Sequence, residues 1–240
     1  MHPGGSAIML GGMRNHTRVL TIGASAVIAL GALTACSAGN EPTKPSGTAP
    51  TSAAPFPQAA RYIADVAGKD GKTVTIGVSV AGNDVAAYAC DGTTDEAWFF
   101  GSQKDGSLDL TGKFQDHLRA SFDGGKVDGK LTFNDANYDF AAASVPAPAG
   151  MYTAAAGDAR ASWVVRADHS ITGVLSANSK RDREVIDQIN AQQSDFKERV
   201  RERRIARQLS PAPPLQWGTW QSTINGTPVV AIVVDGNTRF

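Results

Sequence analysis

From Lys72 onward the chain reads in period two, and that alternation limits its fold more than any other feature. Val74, Ile76, Val78 and Val80 alternate with Thr, Gly and Ser, as in a strand whose successive side chains point to opposite faces. Gly82-Asn83 turns the chain into Val85 to Cys90, and Asp91-Gly92 turns it again into Ala97 to Gly101. The same grammar continues through Leu108 and Leu110, then Leu118, Ala120 and Phe122, then Val127, Leu131 and Phe133, then Tyr138 and Phe140. After the Pro-rich break at 145–150, Met151-Tyr152 resumes a strand, and 161–167 with 171–177 form a hairpin around Asp168-His169. Short strands at regular spacing with Gly-rich turns predict a mainly β fold: an antiparallel meander, sandwich or partly open barrel.

Two stretches depart from this period. Tyr62, Ile63 and Val66 fall at one-turn spacing and predict a short helix over 59–67. Lys180 to Leu209 contains no Gly or Pro, and Val185, Ile189, Phe196 and Val200 lie near a helical period. This predicts one long amphipathic helix over 180–209, stopped by Ser210-Pro211, and makes α+β the alternative class. Asn225-Gly226 predicts a closing hairpin over 216–235. The run Val229 to Val234 is apolar on both faces, as expected of a central buried strand.

The first 58 residues have a different character. Arg14 and Arg18 precede an uncharged apolar run from Val19 to Ala32 that ends in Leu33-Thr34-Ala35-Cys36. That run is too short to span a bilayer, which takes about 20 residues, and it matches the apolar region of an export signal. Leu at −3, Ala at −1 and Cys at +1 predict a lipoprotein signal over 1–35, cut so that Cys36 is acylated. Residues 36–58, rich in Pro, Ser, Thr and Ala, read as a tether. The expected organisation is signal, lipidated tether, and a single β-rich domain over 59–240. The expected address is the extracytoplasmic face of the cell membrane, with the lipid anchor as the link to it.

Composition then narrows the chemistry. The chain has 23 basic and 23 acidic residues and two cysteines. Balanced charge gives no field to gather nucleic acid, so none is expected as a partner. Lipid on Cys36 leaves Cys90 without a partner in the chain, so the core must hold the fold without a disulfide. Cys90 sits at a strand end with no nearby cation to stabilise a thiolate, and reads as a small core residue. His117 and His169 are too few for a histidine metal site. No serine occupies a Gly-x-Ser-x-Gly elbow, no phosphate-cradling loop occurs, and the Asp-Gly pairs lack calcium-loop spacing. No catalytic residue, cofactor or metal is assigned, and a hydrolase is the last of the alternatives.

Binding chemistry has two candidates. Trp98, Phe99 and Phe100 are consecutive, so in a strand at least one faces away from the core. Lys197 to Arg207 carries six basic residues, among them Arg201, Arg203 and Arg204, against Glu198 and Glu202. Its basic face is suited to an anionic surface. Trp217 and Trp220 are further aromatics near the Pro213-Pro214 pair. The expectation is a non-enzymatic, membrane-anchored envelope lipoprotein that binds a partner protein or cell-wall component. The alternative is a carrier of lipid or another apolar molecule, with Ala86, Ala142 and Ala154 leaving an internal space.

Val78-x-Val80, Ala86-Ala87-Tyr88-Ala89-Cys90-Asp91-Gly92 and Ala97-Trp98-Phe99, with Gly101, form one connected pattern. Val127-x-Gly129, Phe140-x-Ala142 and Ala149-Gly150-Met151-Tyr152 extend it over about residues 70–155. In these positions the chain resembles a group of actinobacterial, mycobacterium-like secreted lipoproteins of uncharacterised function. The resemblance implies an exported β-domain in such an envelope and supplies no catalytic residues.

Overall fold

Strand β1 (Ala59–Ala67) stands where one-turn spacing predicted a helix. It pairs antiparallel with β2 (Thr73–Ala81) over its whole length, from Ala59 opposite Ala81 to Ala67 opposite Thr73. The error has a physical cause. Tyr62 packs into one core and Ile63 into another, so both faces of β1 are apolar and the period-two signal is lost. The computed structural model describes residues 58–123, 125–177, 200, 204 and 207–240.

The chain continues through β3 (Asp84–Cys90), β4 (Glu96–Ser102), β5 (Ser107–Thr111), β6 (His117–Phe122), β7 (Lys126–Phe133) and β8 (Ala136–Ser144). These eight strands form one antiparallel sheet in the order β4-β3-β2-β1-β8-β7-β6-β5, curled into a nearly closed, barrel-like shape. At the seam between β4 and β5, Gly112 leaves room for close approach: a Cβ there would lie 3.1 Å from the Trp98 carbonyl oxygen. The inward faces pack as one cluster that includes Val78, Val85, Phe99, Leu118, Phe122, Leu131 and Phe140.

A second sheet, built from β9 (Gly150–Ala156), β10 (Ala159–Val165), β11 (Ile171–Ser176), β12 (Leu209–Pro211) and β15 (Ile232–Val234), runs β12-β11-β10-β9-β15. It covers the outer face of β2 and β3. Ala86, Tyr88 and Cys90 of β3 meet Met151, Val164 and Val174 there, and a Cβ on Gly77 would strike the Met151 side chain at 2.6 Å. Strand β3 is therefore buried on both faces from Val85 to Cys90. The hairpin of β13 (Gln221–Ile224) and β14 (Thr227–Val230), turned by Asn225 and Gly226 at positive φ, packs with Trp163 and Tyr152 on the far side of the second sheet.

Two further expectations are corrected. The long helix over 180–209, and with it the α+β alternative, is not seen among the described residues. Their helical element is the short 3-10 turn Lys69–Gly71, beside isolated helical backbone at Val200 and Arg204. Most of 180–209 lies outside the described residues. Its expected last residue, Leu209, opens strand β12 and pairs with Ser176 of β11. Nor is Val229–Val234 one buried strand. The Ala231 amide donates to the Trp220 carbonyl oxygen and divides the run between two sheets, leaving Val230 and Ile232 more than half exposed, at 61% and 62%. The expected signal over 1–35, Cys36 and the expected tether as far as residue 57 lie outside the described residues.

Candidate functional site

Strand alternation on β4 builds the site. Phe99 points into the barrel-like interior and is 1% exposed, while Trp98 and Phe100 stand together on the outer face. Their rings are parallel within 5°, with centroids 5.6 Å apart. Tyr88, the neighbour of Trp98 across the β3–β4 ladder, supports the indole at 4.4 Å. Phe240 closes one side, edge-on to Trp98 at 4.8 Å and to Phe100 at 5.1 Å. Phe114, from the turn after β5, closes another. The enclosed cleft has a volume of about 200 Å³ and opens to the surface.

Cations are laid over these rings. The Arg160 guanidinium lies 4.0 Å above Phe240, and that of Arg207 lies 4.6 Å from Phe114. Such contacts hold aromatic planes and charge together in a site of low polarity. Arg207 is 4% exposed at its side chain. Its two terminal nitrogens donate to the Glu96 carbonyl oxygen at 3.1 and 3.2 Å, and Nη2 faces the Glu96 carboxylate at 3.6 Å. The Tyr88 hydroxyl donates to Glu96 Oε2 at 2.9 Å, and burial drives the Tyr88 phenol well above its ordinary pKa. Two residues that line the cleft, Trp98 and Arg207, each carry a buried donor, Nε1 and Nε, with no hydrogen-bond partner among the described residues. Buried donors are rarely left so.

The other singled-out residues fall elsewhere. Arg204 is not part of an exposed basic face. It is 8% exposed and bridges two buried carboxylates, Asp95 through Nη2 at 2.8 Å and Asp116 through Nη1 at 2.7 Å. Burial raises both carboxyls above the usual range and outweighs the pull of Arg204 on each. Arg201 and Arg203 lie outside the described residues. Trp217 stacks on His169 at 3.8 Å and Trp220 on Tyr152 at 4.5 Å, behind the second sheet. His117 meets Thr111 at 3.2 Å on the first sheet. Ala86, Ala142 and Ala154 belong to three different cores and do not face one common space.

The Cys90 thiol is fully buried, and burial pushes its pKa up to about 12, which removes it as a nucleophile at neutral pH. Among the described residues no three His, Cys, Asp or Glu side chains gather as a metal site, and no helix is long and apolar enough to cross a membrane. Phe114, Arg160 and Phe240 were beyond reach of the sequence, because each comes to the cleft from a turn, another sheet or a tail with no local pattern to mark it. Comparison with protein-family models, curated proteins and solved structures finds no match.

Proposed function

We propose that this chain is a membrane-anchored envelope lipoprotein, non-enzymatic, that binds a cell-wall component in the aromatic cleft on the outer face of β4. One observation carries the reading: Trp98, Phe100, Phe114 and Phe240 converge on one open cleft with Arg160 and Arg207 over two of the rings. Ligand pockets combine mostly apolar walls with a few convergent polar groups, and aromatic rings supply much contact area at small entropic cost. The ionisable groups nearest the rings support binding rather than proton transfer, since Glu96 is engaged by both Tyr88 and Arg207. A carrier holding its cargo inside the barrel-like sheet is the weaker reading, because the inward faces are occupied by Phe99, Phe122, Phe133 and Phe140.

The anchor and the cleft are tested separately. A Cys36→Ala variant loses acyl labelling and leaves the membrane fraction, and retention of both contradicts the anchor. For the cleft, the acylated protein is purified in detergent from its native envelope and its co-eluting small molecules are identified by mass spectrometry. A species present with the wild type and absent with Trp98→Ala supports the reading. Identical profiles overturn it.

A further inference from the structure

The cleft is already partly filled, and its occupant describes its ligand. Beyond β15 the segment 235–240 has no strand partner. It makes a turn closed on itself: Asp235 Oδ1 accepts from the Asn237 amide at 3.0 Å and the Thr238 hydroxyl at 2.9 Å. Arg239 reaches outward with long contacts, 3.4 Å to Asp84 Oδ1 and 3.3 Å to the Gly101 carbonyl oxygen, and both charged side chains are well exposed. Exposed pairs of this kind contribute little. What remains is the Arg239 guanidinium 5.5 Å from the centre of the Phe100 ring, the seat of Gly236 against the β2–β3 turn, where a Cβ would run into the Asp84 carbonyl oxygen and the Ala81 amide nitrogen, and the Phe240 ring itself. That ring sits edge-on to Trp98 and Phe100 with its face to the Arg160 guanidinium. The place is built for an aromatic plane under a cation.

A phenyl ring satisfies only half of that place. Trp98 Nε1 and Arg207 Nε, both buried on residues that line the cleft, need an acceptor, and a hydrocarbon ring offers none. A molecule carrying an aromatic ring and an anionic oxygen supplies both parts. Resting on the reading of the cleft as a binding site, we propose that its ligand is an aryl anion, and that Phe240 is a built-in competitor that the ligand displaces as segment 235–240 lifts off the β2–β3 turn. The competitor lowers apparent affinity in proportion to the time it is seated. A tail that is open one-tenth of the time weakens binding about tenfold.

The test uses the mature chain and two fluorescent probes, anilinonaphthalene sulfonate as the aryl anion and N-phenyl-1-naphthylamine as the uncharged aryl control. Phe240→Ala removes the competing ring. Gly236→Ala keeps the Phe240 side chain but unseats the segment that carries it from the β2–β3 turn, with retained thermal unfolding as the check on folding. Both variants are expected to bind the anionic probe about tenfold more tightly than the wild type. Trp98→Phe, which keeps a ring and removes the indole N–H, is expected to weaken the anionic probe while leaving the uncharged one unchanged. Wild-type affinity in either tail variant overturns the competition, and equal effects on the two probes with Trp98→Phe overturn the anion. Anionic-probe binding that survives Trp98→Ala in full overturns the cleft reading itself, which separates that failure from the other two.

Discussion

Asp91 shows how much of this molecule turns on single carboxylates placed for backbone reasons. Its Oδ1 accepts three consecutive amides, those of Thr93, Thr94 and Asp95, at 2.8, 2.8 and 2.9 Å, and Oδ2 takes the Lys72 ammonium at 2.9 Å. Burial works against the charged form, but Lys72 and the three amides outweigh it and hold this carboxyl far below the usual range. A folded-state pKa below the unfolded value stabilises above about pH 4 and loses that contribution as pH falls through the depressed value. Asp91→Asn is therefore expected to cost about 1–3 kcal/mol at pH 7, with the deficit shrinking below about pH 4, as urea unfolding at stepped pH will read. A deficit that stays constant with pH contradicts the assignment. The sequence made Asp91-Gly92 legible as a turn. The opposite holds for Arg204, whose place in a basic run concealed that Asp95 and Asp116, far away in the chain, enclose it.

Elements were legible where one face is apolar and illegible where two are. The alternation over β2 and β5 to β8 marks strands because the outward residues of those strands are largely polar. Strand β1 carries apolar residues on both sides, and the pair Tyr62-Ile63 imitates a helix. The run 229–234 imitates a buried strand, and only the long-range bond from the Ala231 amide to Trp220 breaks it. On β4 the consecutive rings told that one side must face outward without telling which. The parity seen there makes a sharp prediction. Phe99→Ala is expected to destabilise by about 3–5 kcal/mol, since it empties a packed interior, while Trp98→Ala is expected to cost less and to abolish probe binding. Paired denaturation and binding curves check this, and equal stability losses would mean that the two side chains share one environment.

At the scale of the whole molecule, three packed layers are held without a disulfide, because Cys90 is a free thiol sealed between the two large sheets. Its alkylation by iodoacetamide should then require unfolding of those sheets, and the labelling rate should follow global opening as denaturant rises. Fast labelling of the native protein would refute the seal. The same stacking leaves the outer face of β4 uncovered beside the seam, and there the cleft forms. The most direct test of that cleft is the indole N–H spectrum of protein labelled with nitrogen-15 at its four tryptophans. Trp163 serves as the internal reference, since its N–H already donates to the Pro213 carbonyl oxygen at 2.9 Å. On titration with anilinonaphthalene sulfonate, the Trp98 resonance should move downfield as its unpartnered N–H finds an acceptor, and the Trp163 resonance should hold still. A Trp98 resonance that stays in place at saturating probe would contradict the account.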